Sequence, residues 1–382
     1  KNTFVQHKCW YVISLMKKGK INALFSMNKQ FKQITLTNRT IVISDIHGHL
    51  TLFKKLLKKV HYNKEKDTLI ILGDFIEKGP EILPLIDYLM ELSQNKNVHI
   101  LNGNCEWAIL TWLEEYPYCK EYMSRARYSI YHEIMNKLGL NYLDYTKENL
   151  QVLLKQNLKK QIAFIESLPI LIDSQDYVFV HAGIEDRVDY HESSLSSLLE
   201  QQLFLTRHHP LDRYVVVGHL PVSNYHTHHI DNHIIIDQNK KIISIDGGMG
   251  VKELGQLNAL IIEKNEFKTD YVLPFSLIEV KKSYYPGLSH HHKVAWPDYE
   301  VQVLKKQEEF SLCKKIKNNE RIMIKNEYLY TKDNKTYCYD DYESYQITVE
   351  KGDKVYYIKQ CGEYVYIIKN KEIGWIKKEC ID

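Results

Sequence analysis

Five short polar clusters in this chain of 382 residues each follow directly on an apolar run: Asp45 and His47 in SDIHGH, Asp74 in LGDFIEKG, Asn104 in LNGNCEW, His181 in VFVHAG and His219 in VVVGHLP. Carboxylate, amide oxygen and imidazole are donor types that borderline-hard divalent cations prefer. The apolar runs read as strands, so the clusters gather at the carboxyl ends of a sheet, where α/β proteins place their ligands. Neighbouring glycines such as Gly48 and Gly218 permit the sharp turns this requires. A lone Asp-x-His or Gly-His after a strand is an ordinary turn. The ordered set is what points to a metal centre.

The elements that must position these residues alternate. Ile41 to Ser44 reads as a strand, Leu50 to Val60 as a helix, Thr68 to Leu72 as a strand, Ile82 to Leu92 as a helix and Val98 to Leu101 as a strand. Two βαβ units and a layered α/β sheet follow. Residues 106–168 carry helical periodicity without strand signals and read as a helical insertion. Strand signals return at Tyr177 to Val180, Tyr214 to Val217, Ile234 to Ile236, Ile242 to Ile245 and Ala259 to Ile262, closely spaced as in a second sheet. The expected catalytic domain spans 40–275.

Beyond it, 276–320 reads as a linker. From 321 to 382 only short alternating segments occur, with turn residues at Gly352, Gly362 and Asn370, which predicts a small all-β barrel. At the other end, residues 1–39 read as an extension, with Met27 as the expected native start and Trp10 to Met16 followed by no small-residue cleavage site of a signal peptide.

Net charge is +3, from 51 basic and 48 acidic residues, and no basic stripe suggests a nucleic-acid partner. No apolar run reaches the ~18 residues of a membrane span. Seven cysteines, none in a C-x-x-C pair, suggest neither a disulfide framework nor a thiolate zinc site, and fit a reducing cytoplasm.

The ordered clusters resemble the family pattern D-x-H-G, G-D-x-x-D-R-G, G-N-H-E, H-A/G-G and G-H-x-P of calcineurin-like metallophosphoesterases. The likeness is to their phosphoprotein phosphatase type, which includes bacterial Ser/Thr phosphatases and diadenosine tetraphosphatases. SIDGGMG at Ser244 to Gly250 resembles the end of that domain. The resemblance implies a β-sandwich flanked by helices. It implies one metal on Asp45, His47 and Asp74, and a second on Asp74, Asn104, His181 and His219. Two such cations share a bridging hydroxide and aim it at phosphorus. Manganese is the expected metal, with iron or zinc as alternatives. The segments GDKVYYI, EYVYII and KEIGWIKKE resemble SH3-like domains through Gly374 and Trp375. That implies a peptide partner met through surface tyrosines such as Tyr356 and Tyr366.

Three positions depart from the pattern. Cys105 stands where the family has the histidine that protonates the leaving oxygen, Glu77 where it has the aspartate orienting that histidine, and Lys78 where it has a phosphate-clamping arginine. Arg207 resembles a second clamp. The expected function is hydrolysis of phosphomonoesters, including phosphorylated proteins, with Asp74, Cys105 and Glu77 in catalysis and Lys78, Arg207 and Asn104 on the substrate. The weaker acid at Cys105 raises an alternative, the anhydrides of dinucleoside polyphosphates, whose leaving groups need least protonation. A second alternative is a metal-binding scaffold with impaired catalysis. His226, His228, His229 and His233 read as a solvated loop before an accessory metal site, Arg125 and Arg127 as a solvated helix face, and the remaining cysteines as packing or surface thiols.

Overall fold

The computed structural model describes residues 31–36, 39–114, 118–126, 128–264, 266–287 and 291–382. The start expected at Met27, Cys9 and Arg127 lie outside these residues. Strands β1 (Phe31–Gln33), β2 (Thr40–Ile43), β3 (Thr68–Ile71), β4 (Val98–Ile100), β5 (Leu171–Asp173), β6 (Tyr177–Val180), β7 (Tyr214–Val217), β8 (Ile235–Asp237), β9 (Ile242–Ser244), β10 (Leu257–Glu263) and β11 (Glu266–Val272) form two sheets. One runs β11-β10-β2-β3-β4 and the other β1-β5-β6-β7-β9-β8. β2, β3 and β4 are parallel, as are β6, β7 and β9, so each trio ends on one edge of its sheet.

Side-chain alternation decides the layers. Val42 and Ile70 point between the sheets and pack with Phe179, Val216 and Ile243. Their neighbours Ile41, Ile43, Leu69 and Ile71 point outward onto helices. Val178, Val180, Val215 and Val217 do the same on the outer face of the second sheet. Such strands are apolar on both faces because both are covered, and each fully buried aliphatic side chain contributes about 1.5–3 kcal/mol.

The covering helices are α1 (Leu50–Lys59), α2 (Ile82–Leu92), α3 (Asn104–Glu114), α4 (Tyr118–Arg125), α5 (Ile130–Lys137), α6 (Lys147–Asn157), α7 (Lys159–Ser167) and α8 (Leu195–Glu200). α1 buries Phe53, Leu56 and Leu57, and places Lys58 and Lys59 in its last turn, where the helix dipole favours cations. Between α3 and α7 no strand interrupts the described residues.

The segment expected as a linker carries β12 (Ser276–Glu279), β13 (Lys293–Val294), β14 (Glu300–Lys305) and β15 (Phe310–Lys315). They are followed by β16 (Arg321–Lys325), β17 (Leu329–Lys332), β18 (Lys335–Cys338), β19 (Tyr342–Glu343), β20 (Lys354–Cys361), β21 (Tyr364–Lys369) and β22 (Glu372–Lys377). β12 joins β20-β21-β22, β14 and β15 join β16, β17 and β18, and β13 pairs with β19. The region is all-β as expected, yet no barrel closes among the described residues, because early strands complete the sheets. Tyr366, expected at the surface, is fully buried: its strand is covered on both faces, and its ring stacks on Trp375 at 4.4 Å. Ile230, Leu254 and Leu273 share one core with Tyr328, Tyr342 and Trp375, which joins this region to the sandwich. Among the described residues no helix is long and apolar enough to cross a membrane.

Candidate metal centre

Loops at the carboxyl ends of β2, β3, β4, β6 and β7 bring Asp45, His47, Asp74, Asn104, His181 and His219 together around the Asp74 carboxylate. His47 Nε2 lies 3.6 Å from Asp74 Oδ2, and His181 Nε2 lies 3.5 Å from Asp74 Oδ1. Asn104 Oδ1 is 2.9 Å from both His181 Nε2 and His219 Nδ1. Asp45 Oδ1 is 3.8 Å from His47 Nε2, and Asp45 Oδ2 accepts from the His219 backbone N–H at 3.0 Å. All are buried except the half-buried His219.

Local backbone geometry bears the cost of this convergence. Asp45, His47, Asp74, Glu77, Lys78 and His219 all have φ between 46° and 68°, a left-handed conformation that persists only where the surroundings enforce it. At Gly218 a side chain is excluded outright, since a Cβ there would lie 2.3 Å from Asp45 Oδ2. Backbone carbonyls then fix the imidazoles: His47 Nδ1 donates to Ile76 O at 3.0 Å and His181 Nδ1 to Leu72 O at 2.7 Å. That tautomer turns each Nε2 toward Asp74, as metal-ligating histidines require.

The electrostatics suit a cation. Burial, with Asp74 beside it, pushes Asp45 up to about 8. Burial opposes ionisation of Asp74 as well, but His181, His47 and Lys78 outweigh it and hold that carboxyl below the usual range. Burial and then Lys78 lower His47 to about 3; burial and then His181 lower His219 to about 3. His47 and His219 are therefore neutral and able to donate a lone pair. Two donor triads, His47 with Asp74 and Cys105, and Asp45 with Asp74 and His181, have atoms within 4.8 Å of one another. Asp246 adds a buried Oδ2 without a hydrogen-bond partner, and burial followed by Asp45 pushes its carboxyl well above the usual range. A donor set short of positive charge, with an orphaned carboxylate oxygen beside it, fits divalent cations.

The departing residues are placed differently. Cys105 Sγ donates to Asp74 Oδ2 at 3.1 Å. Glu77 accepts from Ile130 N at 2.8 Å and from the Tyr122 hydroxyl. Lys78 Nζ lies 3.0 Å from His47 Nε2. Arg207 is exposed, its Nε donating to Gln202 O at 3.4 Å, and Gln202 Nε2 in turn lies 2.9 Å from His219 Nε2. The histidines 226 to 233 bring no metal-binding group together among the described residues. Arg125 pairs with Glu121 on its own helix. Cys119, Cys313, Cys338, Cys361 and Cys380 are buried packing thiols.

Glu106 and Asp246 escaped the sequence reading. Glu106, fully buried, accepts from the backbone N–H groups of Asp74, Phe75, Ile76 and Gly103 at 2.8 to 3.0 Å, so one carboxylate fixes the loop that carries Asp74. Its signal was present in the first turn of α3. Asp246 follows β9 as the other clusters follow their strands.

The sequence model of the calcineurin-like phosphoesterases matches residues 39–243, more than half of the chain. The chain belongs to the calcineurin-like phosphoesterase family. This is a family of metal-dependent phosphoric ester hydrolases. Within it, the chain is 30% identical over 150 residues to the symmetrical bis(5'-nucleosyl)-tetraphosphatase of Buchnera aphidicola subsp. Schizaphis graminum, covering 38% of this chain and 45% of that protein. It is 28% identical over 150 residues to the protein of the same name from Wigglesworthia glossinidia brevipalpis, covering 39% and 46%. The chain thus spans less than half the length of these relatives. A cold-active protein-tyrosine phosphatase of a psychrophilic Shewanella aligns with a TM-score of 0.43 at 15% identity, over 64% of this chain and 84% of that one.

Proposed function

We propose that the chain is a metal-dependent phosphohydrolase whose preferred substrates are the anhydrides of dinucleoside polyphosphates. In this reading Asp45, His47 and Asp74 hold one divalent cation, and Asp74, Asn104, His181 and His219 a second. The observation that carries it is the convergence of carboxylate, amide and imidazole donors on Asp74. When bound, such a pair of cations lowers the pKa of water and offsets charge on phosphoryl oxygens. Manganese is the metal proposed for these oxygen and nitrogen donors, with iron or zinc as alternatives that the imidazoles also suit. The chain's own contribution is placement: Ile76 and Leu72 orient the imidazoles, Glu106 fixes the Asp74 loop, and Lys78 supplies a point charge to a phosphate without the arginine fork.

Substrate choice turns on the leaving group. A thiol engaged with Asp74 is a poor proton donor to a departing alkoxide, and Glu77 is held by Tyr122 and Ile130. Protonation is worth ~10² to 10⁴-fold for such groups. An anhydride or an aryl ester, whose leaving oxygen is a weak base, needs it least. The names of the Buchnera and Wigglesworthia relatives agree with this choice.

One substrate panel with Mn²⁺ tests the reading. Diadenosine tetraphosphate and an aryl phosphate are expected to turn over about 10²-fold faster than a phosphoserine peptide. Preference for the phosphopeptide would restore the protein-phosphatase alternative. Inactivity on all three by a chain that binds Mn²⁺ would favour the scaffold.

A further inference from the structure

The segment 340–343, running into β19, reaches two of the stretches of chain that leave the proposed centre, those beyond His219 and Asp246. Asp341 is 2% exposed; its Oδ1 accepts from Lys252 Nζ at 2.9 Å and from Tyr299 OH at 2.7 Å, and its Oδ2 from Ser223 Oγ at 3.4 Å. Asp340 Oδ2 accepts from Glu253 N at 2.9 Å, and Glu343 Oε2 from Ile230 N at 3.0 Å. Lys252 and Glu253 belong to the loop that follows Asp246, and Ser223 and Ile230 to the stretch that follows His219. A few residues of the all-β region therefore tie down the chain just beyond two members of the site.

The loop 247–255 is also the backing of the centre. Gly250, at φ 72°, lies so close that a Cβ there would stand 3.0 Å from His47 Cβ and 3.3 Å from Lys78 Cβ. In a close-packed interior, whatever displaces this loop displaces what His47 and Lys78 rest against. The grip on it is ionic and buried, since the Lys252 and Asp341 side chains are each 2% exposed. Removing the negative member leaves an uncompensated charge inside the protein. Tyr328 OH and Lys359 Nζ hold the Glu253 carboxylate from the same side, at 2.6 and 2.8 Å.

Resting on the metal centre assigned above, we propose that Asp341 is a positioning residue for the proposed reaction. Through Lys252 it holds the loop 247–255 against His47 and Lys78, which makes the C-terminal all-β region a wall of the site.

The test uses the full chain with Asp341→Asn, which keeps side-chain size and removes the charge facing Lys252. At saturating Mn²⁺ the KM for an aryl phosphate is expected to rise about tenfold while kcat stays within about threefold. Mn²⁺ affinity by calorimetry is expected to weaken about tenfold, the low end of the scale on which groups supporting metal ligands act. A merely structural loss lowers the active fraction, hence kcat, and leaves KM alone. Unchanged KM and unchanged Mn²⁺ affinity would overturn the proposal. Should Asp341→Asn fail to fold, Glu253→Gln, on the more exposed part of the same contact, is expected to raise KM about threefold, and an unchanged KM there overturns it equally. A wild type that binds no Mn²⁺ contradicts the metal centre itself. A wild type that binds it normally, beside an indistinguishable Asp341→Asn chain, contradicts only the positioning role.

Discussion

The proposed ligand shell and the trio Glu77, Lys78 and Cys105 share one site but are anchored by different means. In the shell, main-chain groups hold His47, His181 and Asp45: Ile76 O and Leu72 O take the two imidazoles, and the His219 N–H donates to Asp45. In the trio, side chains do more of it: Tyr122 reaches Glu77 from α4, Lys78 meets His47, and the Cys105 thiol meets Asp74. A main-chain anchor demands one ligand geometry and tolerates little change of residue type. A side-chain anchor can be exchanged along with its partner, and it is in the trio that the sequence departs from the pattern it resembles.

The sharpest way to test that contrast is to restore the pattern on the exchanged side. Cys105→His is expected to raise turnover of alkyl phosphates by about 10²-fold and of aryl phosphates far less, because only the former need a proton on the leaving oxygen. Equal gains on both would break the comparison and locate the change in the ligand shell.

A second test reads the shell through stability. A carboxyl whose folded pKa exceeds its unfolded one contributes stability that is present at low pH and lost as pH rises through the folded value. An imidazole whose folded pKa is depressed contributes stability that is lost as pH falls. Asp45 and Glu106, both pushed up to about 8 by burial and then by Asp74, are of the first kind. His47 and His219, lowered to about 3, are of the second. The two kinds oppose each other at acidic pH, and only the carboxyls remain from about 6.5 to 8. Over that window the metal-free chain is expected to lose about 1.4 kcal/mol per pH unit for each of these carboxyls still protonated in the folded state, seen as a falling thermal midpoint that added Mn²⁺ flattens. A metal-free midpoint that rises over the window would contradict the arrangement. The smallest expected effect is that of Lys78→Arg, which supplies a bidentate fork and lowers the KM for aryl phosphate about threefold. A raised KM would mean that Lys78 does not face the phosphate.

Much of the sandwich was legible because β-branched runs such as Ile41–Ile43 and Val215–Val217 are local signals, and a donor, Asp45 or His219, stands two residues beyond each run. Asp246 was missed although it obeys the same rule, since SIDGGMG drew notice as a domain end. Glu106 was missed because a carboxylate gathering four backbone N–H groups leaves no periodic trace. In the C-terminal region, Ser276–Glu279 pairs with Lys354–Cys361 across some eighty residues, and no local pattern announces such a partner. Tyr366 misled for the same reason: a hydroxylated ring in an alternating strand reads as surface until the second covering layer is known.

The central claim is that these side chains hold a pair of cations through Asp74. Equilibrium dialysis of the full chain against Mn²⁺, beside its Asp74→Asn variant, tests it most directly. About two ions per chain are expected for the wild type and fewer than one for the variant. A wild type that retains no Mn²⁺, or a variant that retains as much as the wild type, would contradict it.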